Sequence, residues 1–163
     1  MDDKKEGFSL HIVLFEPQIP PNTGNIARTC AATGTVLHLV KPLGFQIDDA
    51  TLRRAGLDYW KYVNLTTHES LEEVLAIAQK EGANTYFFTK FGTRTYSDIA
   101  YQSSDYLIFG KETTGLPDFV HELYKERLVR VPMGPVMRSL NLSNTVALAL
   151  YEALRQQAFP GLT

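Results

Sequence analysis

Two short segments, residues 85–89 (Thr-Tyr-Phe-Phe-Thr) and Tyr106–Phe109, are continuous apolar and aromatic runs bounded by polar or glycine-containing turns. Neither alternates apolar with polar residues, so neither suits a sheet with one wet face. Both predict strands covered on two sides, which in one domain means a parallel sheet between layers of helices.

The rest of the chain supplies those layers. Residues 10–15 are a third strand-like run, followed by the proline-rich turn 17–21 and a helix from Asn22 to about Thr33 with Gly34 as its stop. Val36–Val40 is the next strand. Asp48 or Asp49 can cap a helix over 50–55 that ends at Gly56, and residues 62–65 are a weaker strand. Ser70 with Glu73 matches a capping box opening a helix that ends near Gly82. Pro117 suits the first turn of a helix to about Tyr124, residues 128–131 form a strand, and residues 145–157 form the last helix. The alternation predicts an α/β fold, a mainly parallel sheet with helices on both faces. A polar tail over residues 1–9 precedes a single domain over 10–163, with no repeat or linker.

Composition excludes several classes. The lone Cys30 has no disulfide partner and no zinc spacing, so it reads as a small buried residue on a helix and the cytoplasm as the compartment. No apolar run reaches the roughly 20 residues of a membrane span, and the charged start does not resemble a signal peptide. A net charge of −2 argues against indiscriminate coating of nucleic acid but leaves room for a local basic face.

In parallel sheets ligands bind beyond the carboxyl ends of the strands. That directs attention to loops 16–25, 90–96, 110–116 and 132–144, all rich in polar or glycine residues. The segment Arg138-Ser139-Leu140-Asn141-Leu142-Ser143-Asn144 runs straight into the last helix. Helix starts carry free N–H groups that favour an electron-rich ligand. Its plainer reading is Ser143 or Asn144 as N-cap with Leu140 and Leu142 packed beneath. The last helix is apolar nearly all round, from Val146 to Leu154, which favours a homodimer interface over burial within so short a chain.

Three segments, Asn22-Thr23-Gly24-Asn25-Ile26-Ala27-Arg28, residues 109–117 and Val131-Pro132-Met133 leading to residues 138–144, together resemble the signature motifs of the SPOUT superfamily of RNA methyltransferases. With Glu16-Pro17, residues 53–59 and the ending 151–161, they resemble more narrowly its small bacterial members that methylate the ribose of the tRNA wobble nucleotide. The resemblance covers almost the whole chain from residue 10. It implies a deep trefoil knot in the carboxyl-terminal half, S-adenosyl-L-methionine as methyl donor, an obligate homodimer and the tRNA anticodon stem-loop as partner.

The same resemblance places Phe88, Gly110, Val131, Ser139 and Leu140 at the donor, with Asn141 and Ser143 completing the polar lining. Glycine admits close approach by a ligand, while Val131 and Leu140 offer main-chain groups and apolar surface to adenine. Arg28 matches the arginine assigned to activating the 2′-hydroxyl. A guanidinium is a poor proton acceptor, so its expected role is to orient the hydroxyl and stabilise the developing alkoxide. Asn22 is expected to support the catalytic loop and Glu112 to pair with an arginine.

Loop 90–96 joins Lys90 and Arg94 to aromatic residues that can stack on bases, and Arg53, Arg54, Lys61 and Arg138 extend a surface for RNA. Methyl transfer from a sulfonium requires no metal, and His11, His38, His68 and His121 are scattered without ligand spacing, reading as structural or exposed. Lys111 and Thr114 depart from the proline and arginine of close relatives, which bears on substrate choice. A dinucleotide-dependent oxidoreductase is disfavoured because a G-x-G-x-x-G turn is missing after the first strand. A non-catalytic RNA-binding factor on the same fold, or a methyltransferase acting on ribosomal RNA, also fits these motifs.

Overall fold

Every pairing between strands of the sheet is parallel, as the continuous apolar runs demand. A computed structural model describes residues 9–47, 50 and 57–163. Over these the order is β1 (His11–Phe15), α1 (Pro20–Thr33), β2 (Val36–Val40), β3 (Asn64–His68), α2 (Leu71–Lys80), β4 (Thr85–Phe88), β5 (Arg94–Thr95), β6 (Tyr106–Phe109), α3 (Asp118–Leu123), β7 (Leu128–Arg130) and α4 (Leu142–Gln156). The sheet reads β3-β2-β1-β6-β4-β7-β5. β6, buried at all four residues, lies between β1 and β4.

Side chains leave a strand on alternate faces, and two cores result. On one face α1 and α4 cover Ile12, Leu14, Leu37, Leu39, Leu107 and Phe109, with Cys30 inside α1 as expected. Burial pushes the Cys30 thiol up to about 12, so it is inert. On the other face α2 and α3 cover Val13, Val40, Phe87 and Ile108.

Local chemistry moves several boundaries. α1 begins at Pro20 rather than Asn22, because proline fits the first helical positions where its missing N–H costs nothing. Pro117 is the N-cap of α3 instead of its first helical residue. Residues 57–62 form a 3-10 helix, and the weak strand lies later, at Asn64–His68. The two-residue β5 had no sequence expectation. Ser70 caps α2 by accepting from Glu73 N at 3.2 Å, and Glu73 reaches back to accept from Glu69 N at 3.0 Å. The expected helix over 50–55, with Arg53 and Arg54, lies outside the described residues.

Three of the four histidines are not scattered in space. His11 Nδ1 meets His38 Nε2 at 2.8 Å, and His38 Nδ1 meets His68 Nε2 at 2.9 Å, a ladder across β1, β2 and β3. Each neutral ring has one N–H, so the ladder must run in one direction. His68 Nδ1 faces the Glu73 carboxylate at 3.9 Å, which favours an N–H there and therefore an Nδ1–H tautomer on all three rings. Burial lowers His11 to about 4 against the pull of Glu81, and lowers His38 to about 3, with the adjoining His11 and His68 acting in the same direction. His68 is lowered by burial and opposed by Glu73.

β1, β6, β4 and β7 are neighbours in the sheet, although the chain visits them far apart. Their carboxyl ends therefore bring together the four loops singled out from the sequence.

Candidate active site

Those loops enclose a cleft of about 880 Å³, within the range of small-ligand sites. Phe88 and Phe109 form part of its floor as stacked rings 4.6 Å apart, ending β4 and β6. Gly110 follows at once. A Cβ there would lie 2.2 Å from the Gly115 carbonyl carbon, so the turn that folds Lys111 onto Gly115 closes only around glycine. Val131, Arg138, Ser139, Leu140 and Asn141 complete the lining from the loop after β7.

One polar chain ties the motifs together. Asn141, not Ser143 or Asn144, is the N-cap of α4, its Oδ1 accepting from Ser143 N at 2.9 Å and Asn144 N at 3.3 Å. That use of Oδ1 leaves Nδ2 as the donor, and it donates to Asn22 Oδ1 at 3.1 Å. Asn22 must then present its own Nδ2 outward, and it does so to Glu112 Oε1 at 3.5 Å. Glu112 also accepts from Gln18 N at 2.9 Å and Ile19 N at 3.1 Å. Its carboxylate thus serves the start of α1, where Ile19 has no capping side chain, and the anion sits at the favourable end of the helix dipole. Among the described residues Glu112 accepts from backbone and an amide, and the expected arginine partner is not there.

Of the two departing residues Lys111 has a local partner. Lys111 Nζ pairs with Glu16 Oε2 at 2.8 Å, and Thr113 donates to Gln18 Oε1 at 2.7 Å, so loop 110–116 clamps the turn after β1. Thr114 is exposed on the cleft wall.

The structure brings Asn22, Phe88, Lys90, Gly110, Glu112, Val131, Arg138, Ser139, Leu140 and Asn141 to the cleft. Four expectations fall elsewhere, among them Lys61, whose Nζ lies 5.0 Å from the centre of the Tyr62 ring. Ser143 donates to Asn141 Oδ1 at 2.6 Å and acts at the helix cap. Arg94 donates to the Glu126 carbonyl at 3.3 Å beside β5. Arg28 is exposed on α1, its guanidinium 5.1 Å from the centre of the Tyr59 ring, and does not line the cleft of its own chain. Six helical residues past Asn22, it points about 120° away around the helix axis.

Sequence reasoning missed Arg130, which lines the cleft and donates to the Lys90 carbonyl at 2.9 Å, and did not single out Met133. Their position at the carboxyl end of a predicted strand, Arg130 within its last two residues and Met133 two residues past it, was the available signal.

Residues 9–151 match the model of the SpoU rRNA Methylase family. The chain belongs to that family. Among SpoU methylases, the tRNA (cytidine(34)-2′-O)-methyltransferase of Methylovorus glucosotrophus is 52% identical over 151 residues, covering 92% of this chain and 97% of that one. A Geobacillus stearothermophilus relative, provisionally named for the same reaction, is 53% identical and covers 95% of this chain and 99% of its own length. A solved structure concerned with 2-OH methylation of C/U34 on tRNA superposes with a TM-score of 0.88 at 42% identity, covering 93% of this chain and 98% of that one. The SpoU fold extends to the AdoMet complex of AviRb from Streptomyces viridochromogenes, with a TM-score of 0.82 at 24% identity over 97% of this chain and 63% of that one.

Proposed function

We propose that this SpoU methylase transfers the methyl group of S-adenosyl-L-methionine to the ribose 2′-oxygen of tRNA nucleotide 34, a cytidine or modified uridine. The observation that carries the reading is the convergence of four loops on one cleft, in a chain 52% identical to a relative named for that reaction. Residues 10–163 act as one methyltransferase domain in the cytoplasm. Among the described residues no helix is long and apolar enough to cross a membrane.

The residues fit the donor. Gly110 permits the tight turn onto Gly115 that shapes one wall of the cleft, Phe88, Val131 and Leu140 offer apolar surface to adenine, and Ser139 adds a hydroxyl at the rim. The donor, when bound, supplies an electrophilic methyl on sulfonium; a C–O bond forms as the C–S bond breaks, and the hydroxyl proton leaves to solvent. The protein's part is alignment and stabilisation of charge on oxygen. Asn22, Glu112 and Asn141 hold the loops in register. Arg28 supplies the cation, and because it lies outside its own cleft we assign it to the cleft of a second copy.

A homodimer suits the surface. α4 buries Val146, Ala149, Leu150, Ala153 and Leu154 but leaves Leu148 39% and Tyr151 45% exposed, an apolar face in the same layer as α1. The trefoil knot remains part of this proposal, supported by Asn141 reaching back to Asn22 and by the packing of α4 on α1. Lys90, Arg130 and Arg138 give the rim a positive character for the anticodon stem-loop. Arg53 and Arg54 are proposed to extend it, and Arg94 to reinforce it from the sheet edge.

The family's description as rRNA methylases favours ribosomal RNA as the second reading. A competition decides between them: purified protein with labelled donor, offered total tRNA and ribosomal RNA from a strain lacking the enzyme. Label is expected in tRNA. Label in ribosomal RNA supports the second reading, and label in neither favours a binding factor without catalysis.

A further inference from the structure

Phe91 lines the cleft yet is 63% exposed. An apolar ring left open at a site edge is normally mobile or awaiting a partner, and here the backbone beneath it is pinned. Phe91 N donates to Thr89 Oγ1 at 3.2 Å, Gly92 N donates to the Thr89 carbonyl at 3.1 Å, and the Lys90 carbonyl accepts from Arg130. A Cβ at Gly92 would lie 2.4 Å from the Val129 carbonyl carbon, so the turn is pressed against β7.

The ring itself is also set. His121 meets it edge-on, the centres 5.4 Å apart at 85°, and His121 Nε2 is 3.0 Å from Thr89 Oγ1. Lys90 Nζ lies 5.2 Å from the ring centre. A ring fixed before binding loses little conformational freedom on contact. Tyr96, the other aromatic of loop 90–96, is half-buried against the core, and its carbonyl accepts from Tyr101.

The neighbours say what the ring meets. Lys90, Arg130 and Arg138 share the cleft lining, so the partner is rich in anions, and its complement to Phe91 must be a flat π-face. An unpaired base carries both, with phosphate attached. We propose that Phe91 is a stacking platform for an unpaired base of the RNA substrate, with Lys90 beside it for the adjoining phosphate. The inference rests on the functional reading above, and deepens it by naming how the nucleotide is held.

Two measurements test it: anisotropy of a labelled anticodon stem-loop with S-adenosylhomocysteine present, and steady-state methylation of tRNA. Phe91→Ala is expected to weaken RNA binding and raise KM for tRNA about tenfold. Its kcat and donor affinity stay within about twofold of the parent protein. Phe91→Trp and Phe91→Tyr retain binding, whereas Phe91→Leu, which keeps apolar bulk for the turn, does not. Unchanged RNA affinity in Phe91→Ala overturns the proposal. So does rescue by leucine equal to that by tryptophan, or a loss of donor affinity, which would return Phe91 to the donor site. If the parent protein binds RNA through Phe91 but methylates no tRNA, the platform stands and the functional reading falls; if it binds no RNA, both fall.

Discussion

Asn141 shows how one side chain settles the polarity of a site. Capping α4 commits its oxygen, its nitrogen must then face Asn22, and Asn22 must turn its own nitrogen to Glu112. Side chains in one network do not contribute independently. Asn22→Ala and Glu112→Ala are each expected to lower kcat/KM about a hundredfold, as loops drift from alignment, with the double variant little worse than either. Additive losses in steady-state kinetics would show that the two act separately. Gly110→Ala is expected to abolish measurable donor binding in calorimetry, because its methyl would meet backbone rather than a side chain able to move. Donor affinity within a few-fold of the parent, on the order of 1 kcal/mol, would contradict the cradle. Gly110, Ser139 and Asn22 were legible in the sequence because close approach and polarity are written in residue type. The displacement of Arg28 was legible too, because six residues along the predicted helix turn it about 120° off the face that Asn22 presents, but the motif resemblance placed both residues at one site.

At the scale of elements, caps and ladders decide more than propensity. Ser70 and Glu73 announced α2, but Asn141, Ser143 and Asn144 can all cap α4, and the bond to Asn22 at 3.1 Å selects the first. β5 was illegible because two residues hold no period. The histidine ladder has a consequence in pH. His11 and His38 fall to about 4 and about 3 in the folded chain from 6.5, so the unfolded chain binds more protons between those values. Stability is complete above pH 6.5 and is lost as pH falls toward 4 and 3. Urea unfolding at pH 7.5 and 5 should differ by on the order of 4 kcal/mol, and His38→Phe should reduce the difference by about half. An equal slope in that variant would remove the ladder from the account.

At the scale of the whole molecule the questions are strand order and the proposed second copy. Sequence periodicity foretold a parallel sheet but not its strand order, because β6 enters late between β1 and β4, and nothing local records that insertion. It also foretold an apolar α4, whose exposed Leu148 and Tyr151 a second copy would cover. Replacing both by glutamate should yield monomers in sedimentation that bind RNA poorly and do not turn over. Mixing Arg28→Ala with Gly110→Arg, each inactive alone, should recover about a quarter of parental activity, since half of randomly assorted dimers then hold one complete site. No recovery would place Arg28 in its own cleft. The central claim concerns where the methyl group arrives. Nuclease mapping with mass spectrometry of tRNA methylated by the purified protein should find it on the ribose of nucleotide 34; a methyl on a base, or on the ribose of any other nucleotide, would contradict the account.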